Sequence, residues 1–244
     1  MTYCLGILLP AGLVLASDSR SNAGVDQVAR VRKLARITVP NNRVIAILSA
    51  GNLATTQSVV TNLREQAGSG TIGQDLYAAR TMFDVANIVG AKLRDVIARD
   101  LSFVQPYGDP TGSFLVGGQI AGEPPRLFQI YSAGNFIEAS DRSCFLQIGE
   151  TKYGKPILDR ALTMQSPLDE AAKLTLLSFD ATMRSNLSVG LPIDLLRYKT
   201  DSFSDANFST LEDDNAYWNQ LRHGYHDGLA SLVASLPRPP AWMH

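Results

Sequence analysis

The chain has 244 residues, 45% of them hydrophobic and 18% charged, with a formal net charge of -1. That length suits one domain with a sizeable core, and the near-neutral balance speaks against a nucleic-acid partner, which needs a concentrated basic surface. No stretch approaches the roughly 18 consecutive apolar residues of a membrane helix, and the start does not read as a secretory leader, so the expectation is a soluble, cytoplasmic protein without a membrane partner.

In chain order, YCLGILL (3–9) and LVLASD (13–18) flank the turn signal Pro10-Ala11-Gly12 and predict a hairpin buried on both faces. An inner strand is expected over 43–50, then a helix over 52–66 with apolar positions at Leu53, Val59, Val60 and Leu63. A longer helix is expected over 74–101, interrupted near Gly90. Strand patterns follow at 113–119, 126–132, 135–139 and 143–148, then helices over 153–164 and 168–184. A strand over 194–200 and a helix over 211–236 lead to the tail LPRPPAWMH. Blocks of strands alternating with blocks of helices imply antiparallel sheets covered by helical layers, an α+β fold. The division expected is a core over 1–205 and a C-terminal helical extension over 206–244 that packs on its own or a neighbouring subunit, with Tyr217, Trp218, Tyr225 and Trp242 as contact residues.

Cys4 and Cys144 read as free thiols in apolar strands. His223 and His226 lie three apart on a helix with no third ligand nearby, so a surface position is expected and no metal. Arg30, Arg32, Lys33 and Arg36 by themselves read as a solvated basic edge.

A hairpin turning at residues 10–11 brings Thr2 within about one residue of Asp18. Met followed by a small residue is the pattern from which the initiator Met is removed, which would leave Thr2 with a hydroxyl and a free α-amine. The amine can take the hydroxyl's proton when neutral. Its unperturbed pKa of about 7.7–8.0 would be lowered by a neighbouring Lys, which Asp18 could hold in place.

Four stretches in order carry a family resemblance. GLVLASDSRSNAG resembles the G-x-x-L-A-x-D-x-R stretch of proteasome β-type subunits and the bacterial HslV peptidase. RVRKLARI is similar to their lysine-bearing strand, SAGNLATTQ to the segment after it, and IGETKYGKPILDRAL to the stretch carrying G-S-G. The start MTYC, AGNLATTQ and the GETKYGK segment are closest to Anbu, the bacterial ancestral β-subunit family.

The resemblance implies an N-terminal-nucleophile hydrolase with a four-layer αββα sandwich. It makes Thr2 the nucleophile, Asp18 and Lys33 the pair that tunes its amine, and Gly51 the oxyanion N–H donor. Asn22, Ser49 and Leu53 fall at substrate-channel positions. Two departures stand out. Glu150 occupies the place of the auxiliary serine, where a carboxylate could pair with Lys152 or Lys33 or raise the amine's pKa. In RSNLSVG, Ser185 or Asn186 replaces an auxiliary aspartate, while Ser188 stands at the serine.

Residues 149–155 also fit G-x-x-x-x-G-K, but Pro156 replaces the Ser or Thr of a phosphate loop, so nucleotide binding is not expected. The function expected from the resemblance is a threonine peptidase acting on peptide or unfolded protein, needing no cofactor and assembled as a homo-oligomer, either a ring or an open helix. Whether an ATP-driven unfoldase serves it is open. The alternatives are a non-catalytic proteasome-like scaffold and a hydrolase of a non-peptide amide.

Overall fold

A computed structural model describes residues 2–23 and 27–239. Met1 and Trp242, both singled out from the sequence, lie outside the described residues.

The hairpin forms as expected. Strands β1 (Tyr3–Leu9) and β2 (Gly12–Asp18) pair antiparallel, with Cys4 opposite Ser17 and Leu9 opposite Gly12. Both strands are buried along nearly their whole length, so they belong to the interior of a layered structure. After β2 come β3 (Arg20–Ala23) and β4 (Gln27–Arg30), a small two-stranded ribbon. Then β5 (Leu34–Val39) and β6 (Arg43–Gly51) lead into helix α1 (Leu53–Gln66).

The second helix, α2 (Met82–Val104), starts later than its apolar spacing suggests. Residues 74–81 form turns instead, and Thr81 and Asp84 make a reciprocal capping box that sets the start. Nor does Gly90 interrupt the helix: a side chain there would run into the carbonyl of Gly134, so glycine lets that turn lie directly on the helix. Strands β7 (Gly112–Ile120), β8 (Arg126–Ile130), β9 (Phe136–Glu138) and β10 (Phe145–Gly149) follow. Helices α3 (Lys155–Ala161) and α4 (Leu168–Ser185), strands β11 (Ile193–Lys199) and β12 (Phe208–Leu211), and helix α5 (Ala216–Ser235) complete the chain.

Two five-stranded sheets, ordered β10-β1-β2-β11-β12 and β5-β6-β7-β8-β9, stack face to face, and every pairing in them is antiparallel. Alternation along the strands divides their side chains between two apolar layers each. Ala46 and Leu48 of β6 join Leu13 and Leu15 of β2 between the sheets, while Ile45 and Ile47 face α1 and α2. On the other side Ile7, Val14 and Leu195 pack under α3 and α4 with Phe179 and Trp218. The result is the four-layer αββα sandwich. Trp218 is thus part of its own subunit's core, whereas Tyr217 remains half exposed. Among the described residues no helix is long and apolar enough to cross a membrane.

Candidate active site

Thr2 sits immediately before β1, whose position is fixed from both sides. Tyr3 pairs with Gly149 of β10, and the Glu150 N–H donates to the Thr2 carbonyl at 2.7 Å. The Tyr3 hydroxyl is buried within 2.6 Å of Ser178 Oγ on α4 and accepts from Gln147 Nε2 at 2.6 Å. Burial pushes that phenol up to about 12, so it stays a neutral anchor. Thr2 is therefore held by a strand that cannot slide.

The register of the hairpin then does what arithmetic on the turn implies. The Tyr3 N–H donates to Asp18 Oδ1 at 3.1 Å, which places the Asp18 carboxylate beside Thr2. Asp18 has no solvent exposure, and its oxygens also accept from the N–H groups of Arg20 (3.2 Å) and Gly190 (3.3 Å). Lys33, buried just before β5, donates from Nζ to Asp18 Oδ1 at 2.8 Å, to Thr2 Oγ1 at 2.8 Å and to the Arg20 carbonyl at 2.5 Å. All three ammonium donors are thereby used, on a carboxylate, a carbonyl and the threonine hydroxyl.

Such a pair is costly to bury and costly to break. Burial is the larger influence on Asp18 and pushes its carboxyl above the ordinary range, with Lys33 and the N–H donors of Tyr3 and Gly190 pulling it back. The nearby Cys4 thiol is raised by burial and by the Asp18 charge, which leaves it inert.

Thr2 opens onto a cleft of about 480 Å³ lined by Ser21, Asn22, Ala50, Gly51, Asn52, Leu53, Ala54 and Gly149. Gly51 ends β6 with φ +109°, and a Cβ there would stand 2.6 Å from the Thr111 carbonyl, so only glycine fits this wall. Asn52 caps α1 by accepting from the Thr55 N–H, which turns the first helical turn toward the cleft beside Thr2. Asn22 Oδ1 is buried without a hydrogen-bond partner among the described residues. A second cavity of about 350 Å³ lies across Leu53 and is lined by Lys33, Ala35, Ser49, Thr56 and Val60 among others. Leu53 belongs to both, so it divides them. Every substrate-channel position expected from the sequence lies on one of these two walls.

Glu150 and Ser188 line neither of these cavities. Glu150 is 7% exposed, and its Oε2 accepts from Asn186 Nδ2 at 2.8 Å. Exposed Lys152 stands 3.6 Å from Oε1, while Lys33 is bonded elsewhere. Ser188 is half-buried, and its N–H donates to Asn186 Oδ1 at 2.9 Å. Of the two residues left open by the sequence, Asn186 is therefore the one that meets Glu150. The Arg20 carbonyl and the Gly190 N–H were not among the expected site groups, because which backbone groups turn toward Lys33 and Asp18 is set by the fold. Elsewhere, His223 and His226 are exposed on α5, and no cluster of three or more His, Cys, Asp or Glu able to hold a metal occurs among the described residues.

Two stacked antiparallel sheets between helical pairs, with a threonine at the first strand's open end contacted by a buried Lys–Asp pair, define a proteasome-type fold with an N-terminal-nucleophile architecture. The proteasome subunit family model matches residues 2–195. Solved structures narrow this further. Anbu (ancestral beta-subunit) from Yersinia bercovieri is 44% identical, covers 98% of each chain and superposes with a TM-score of 0.92. The helical assembly of the Anbu complex from Pseudomonas aeruginosa is 45% identical over 99% of this chain and 100% of that one, TM-score 0.94. Anbu from Hyphomicrobium sp. strain MC1 is 45% identical over 98% and 100%, TM-score 0.89. The chain belongs to the proteasome subunit family and, within it, to the Anbu proteins. No curated protein sequence matched it.

Proposed function

We propose that this chain is a threonine-type peptidase whose nucleophile is Thr2, exposed by removal of Met1. The observation that carries the reading is the buried relay in which Lys33 Nζ bonds both Asp18 Oδ1 and Thr2 Oγ1 at 2.8 Å. In the processed chain the α-amine takes the Oγ1 proton as the oxygen adds to a peptide carbonyl. The Lys33 ammonium keeps that amine in its neutral, basic form by repulsion, and Asp18 holds Lys33 there.

Negative charge then develops on the former carbonyl oxygen, in a cleft walled by Gly51 and the start of α1, where backbone N–H groups can meet it. As the C–N bond breaks, the ammonium of Thr2 returns its proton to the leaving amine, and the acyl group remains as an ester on Oγ1. Water, deprotonated by the same amine, releases it. Asn22, Ser49 and Leu53 line the channel for an extended peptide or unfolded protein. Hydrolysis of fluorogenic peptides tests this: wild type should cleave and Thr2→Ala should not, whereas cleavage surviving in Thr2→Ala would contradict it.

The protein acts as an assembly of identical copies, in line with the helical assembly described for the Pseudomonas aeruginosa relative. Support comes from α5, where Leu229, Leu232 and Val233 form an exposed stripe at helical spacing, continued by Leu236 just past the helix end, each roughly half exposed or more. In analytical ultracentrifugation the variant Leu232→Glu/Val233→Glu should sediment as smaller species than wild type.

A further inference from the structure

Glu150 stands where the family resemblance leads one to expect a serine, Asn186 lies in the segment where it leads one to expect an aspartate, and the structure ties the two together. Asn186 is the residue after α4, and its side chain does two things at once. Its Oδ1 accepts from the Ser188 N–H at 2.9 Å, and its Nδ2 donates to Glu150 Oε2 at 2.8 Å. Its own carbonyl accepts from the Val189 N–H at 3.1 Å, and its N–H caps the Thr182 carbonyl at 2.9 Å. Residues 186–190 are thus a tight turn with Asn186 as its hub.

That turn reaches the reacting end of the molecule. The Gly190 N–H donates to Asp18 Oδ2 at 3.3 Å, and the Gly190 carbonyl accepts from the Ser19 N–H at 3.3 Å. The Leu187 carbonyl accepts from Arg20 Nη1 at 2.7 Å. On its other side, the Glu150 N–H grips the Thr2 carbonyl at 2.7 Å. A closed circuit therefore runs from the Thr2 carbonyl through Glu150, Asn186, the turn to Gly190, Asp18 and Lys33, and back to Thr2 Oγ1.

We infer that Glu150 is a positioning residue: its carboxylate is the acceptor that locks the 186–190 turn against Asp18, and through Asp18 it sets where Lys33 meets Thr2. The inference rests on the threonine-nucleophile reading for its consequence, though not for the lock itself. Two features favour a lock over a role for the negative charge. The carboxylate has a neutral amide as its close partner. Its ionic contact is the looser 3.6 Å approach of Lys152, whose side chain is 69% exposed and which contributes little in water. Donor and acceptor could therefore be exchanged without loss.

The test uses the full chain with Glu150→Ala, Asn186→Asp, the double variant Glu150→Gln/Asn186→Asp, and Lys152→Ala. Asn186→Asp puts two carboxylates face to face and removes the donor, yet keeps an oxygen for the Ser188 N–H. The double variant restores one hydrogen bond with its direction reversed and the same total charge. Amide hydrogen exchange of the 186–190 segment reads the lock directly, and reaction of Thr2 with a peptide epoxyketone reads its consequence.

Glu150→Ala and Asn186→Asp should speed exchange of that segment about tenfold, the equivalent of one lost hydrogen bond. They should also lower the maximal labelling rate about 10- to 100-fold, as a misplaced group does, with the half-saturating concentration unchanged. The double variant should return both readouts to within about threefold of wild type, and Lys152→Ala should stay within about twofold. Unchanged exchange in Glu150→Ala, or a double variant no better than Asn186→Asp, overturns the inference. If wild type itself is not labelled while the exchange pattern holds, the lock stands and the peptidase reading is what fails.

Discussion

Asp18 and Asp75 are both almost wholly buried aspartates, at 0% and 1% exposure, and each is gripped by three backbone N–H groups. Asp75 sits in the connection between α1 and α2 and accepts from Gly68 (2.9 Å), Gly70 (2.8 Å) and Tyr77 (2.8 Å). Burial opposes its ionisation, but those N–H groups outweigh it and hold the carboxyl below the ordinary range. Asp18 has a buried lysine as well, and burial nevertheless leaves its carboxyl raised. The one aspartate is satisfied where it is and ties a loop. The other is held at a cost, and what that cost secures is a lysine ammonium on the Thr2 hydroxyl. Buried carboxylates of similar wiring can therefore be told apart by whether ionisation is favoured by the site or imposed on it.

The largest separation between the two should come from amide substitutions. Asp18→Asn leaves Lys33 without its counter-ion and should lower the rate of Thr2 labelling by about 10²-fold or more, in the range of lost proton-transfer machinery. Asp75→Asn should leave labelling within about twofold, and instead cost about 1–3 kcal/mol of stability in urea unfolding, because an N–H group now faces backbone donors.

Acidification sharpens the contrast. Asp18 must be ionised to hold Lys33, and its carboxyl is raised, so the advantage of wild type over Asp18→Asn in labelling rate should shrink with decreasing pH at a midpoint above the roughly 3.9 of an unperturbed aspartate. Asp75 shifts the other way. Its stabilisation is fully present above that unfolded value and is lost as pH falls through its depressed folded value, so the deficit of Asp75→Asn should shrink below about pH 3.9. A deficit independent of pH would mean that its charge is not what ties the loop. A smaller effect is expected at the cleft wall: Gly51→Ala, strained at φ +109° and crowded by Thr111, should cost about 1–3 kcal/mol in the same unfolding experiment.

The hairpin was legible because a short turn fixes register, and register places Asp18 beside the residue before β1 without further information. Lys33 was not legible that way. It stands in a basic run that reads as a solvated edge, and only the family resemblance singled it out. Residues 74–81 carry helical apolar spacing, yet Asp75 binds the backbone of the preceding turns and delays α2 to Met82. The short polar strands β3, β4 and β12 have no period long enough to notice. Glu150 and Asn186 were each visible as departures, but their contact joins residues far apart in the chain and needed the fold to appear.

The most direct test of the nucleophile is the intact mass of the purified protein before and after incubation with a peptide epoxyketone, which forms a stable ring only with a hydroxyl and a free α-amine on one residue. The expected result is a chain lacking Met1 that gains one adduct in wild type and none in Thr2→Ala. A processed wild-type chain that gains no adduct, or an adduct that persists in Thr2→Ala, would contradict it.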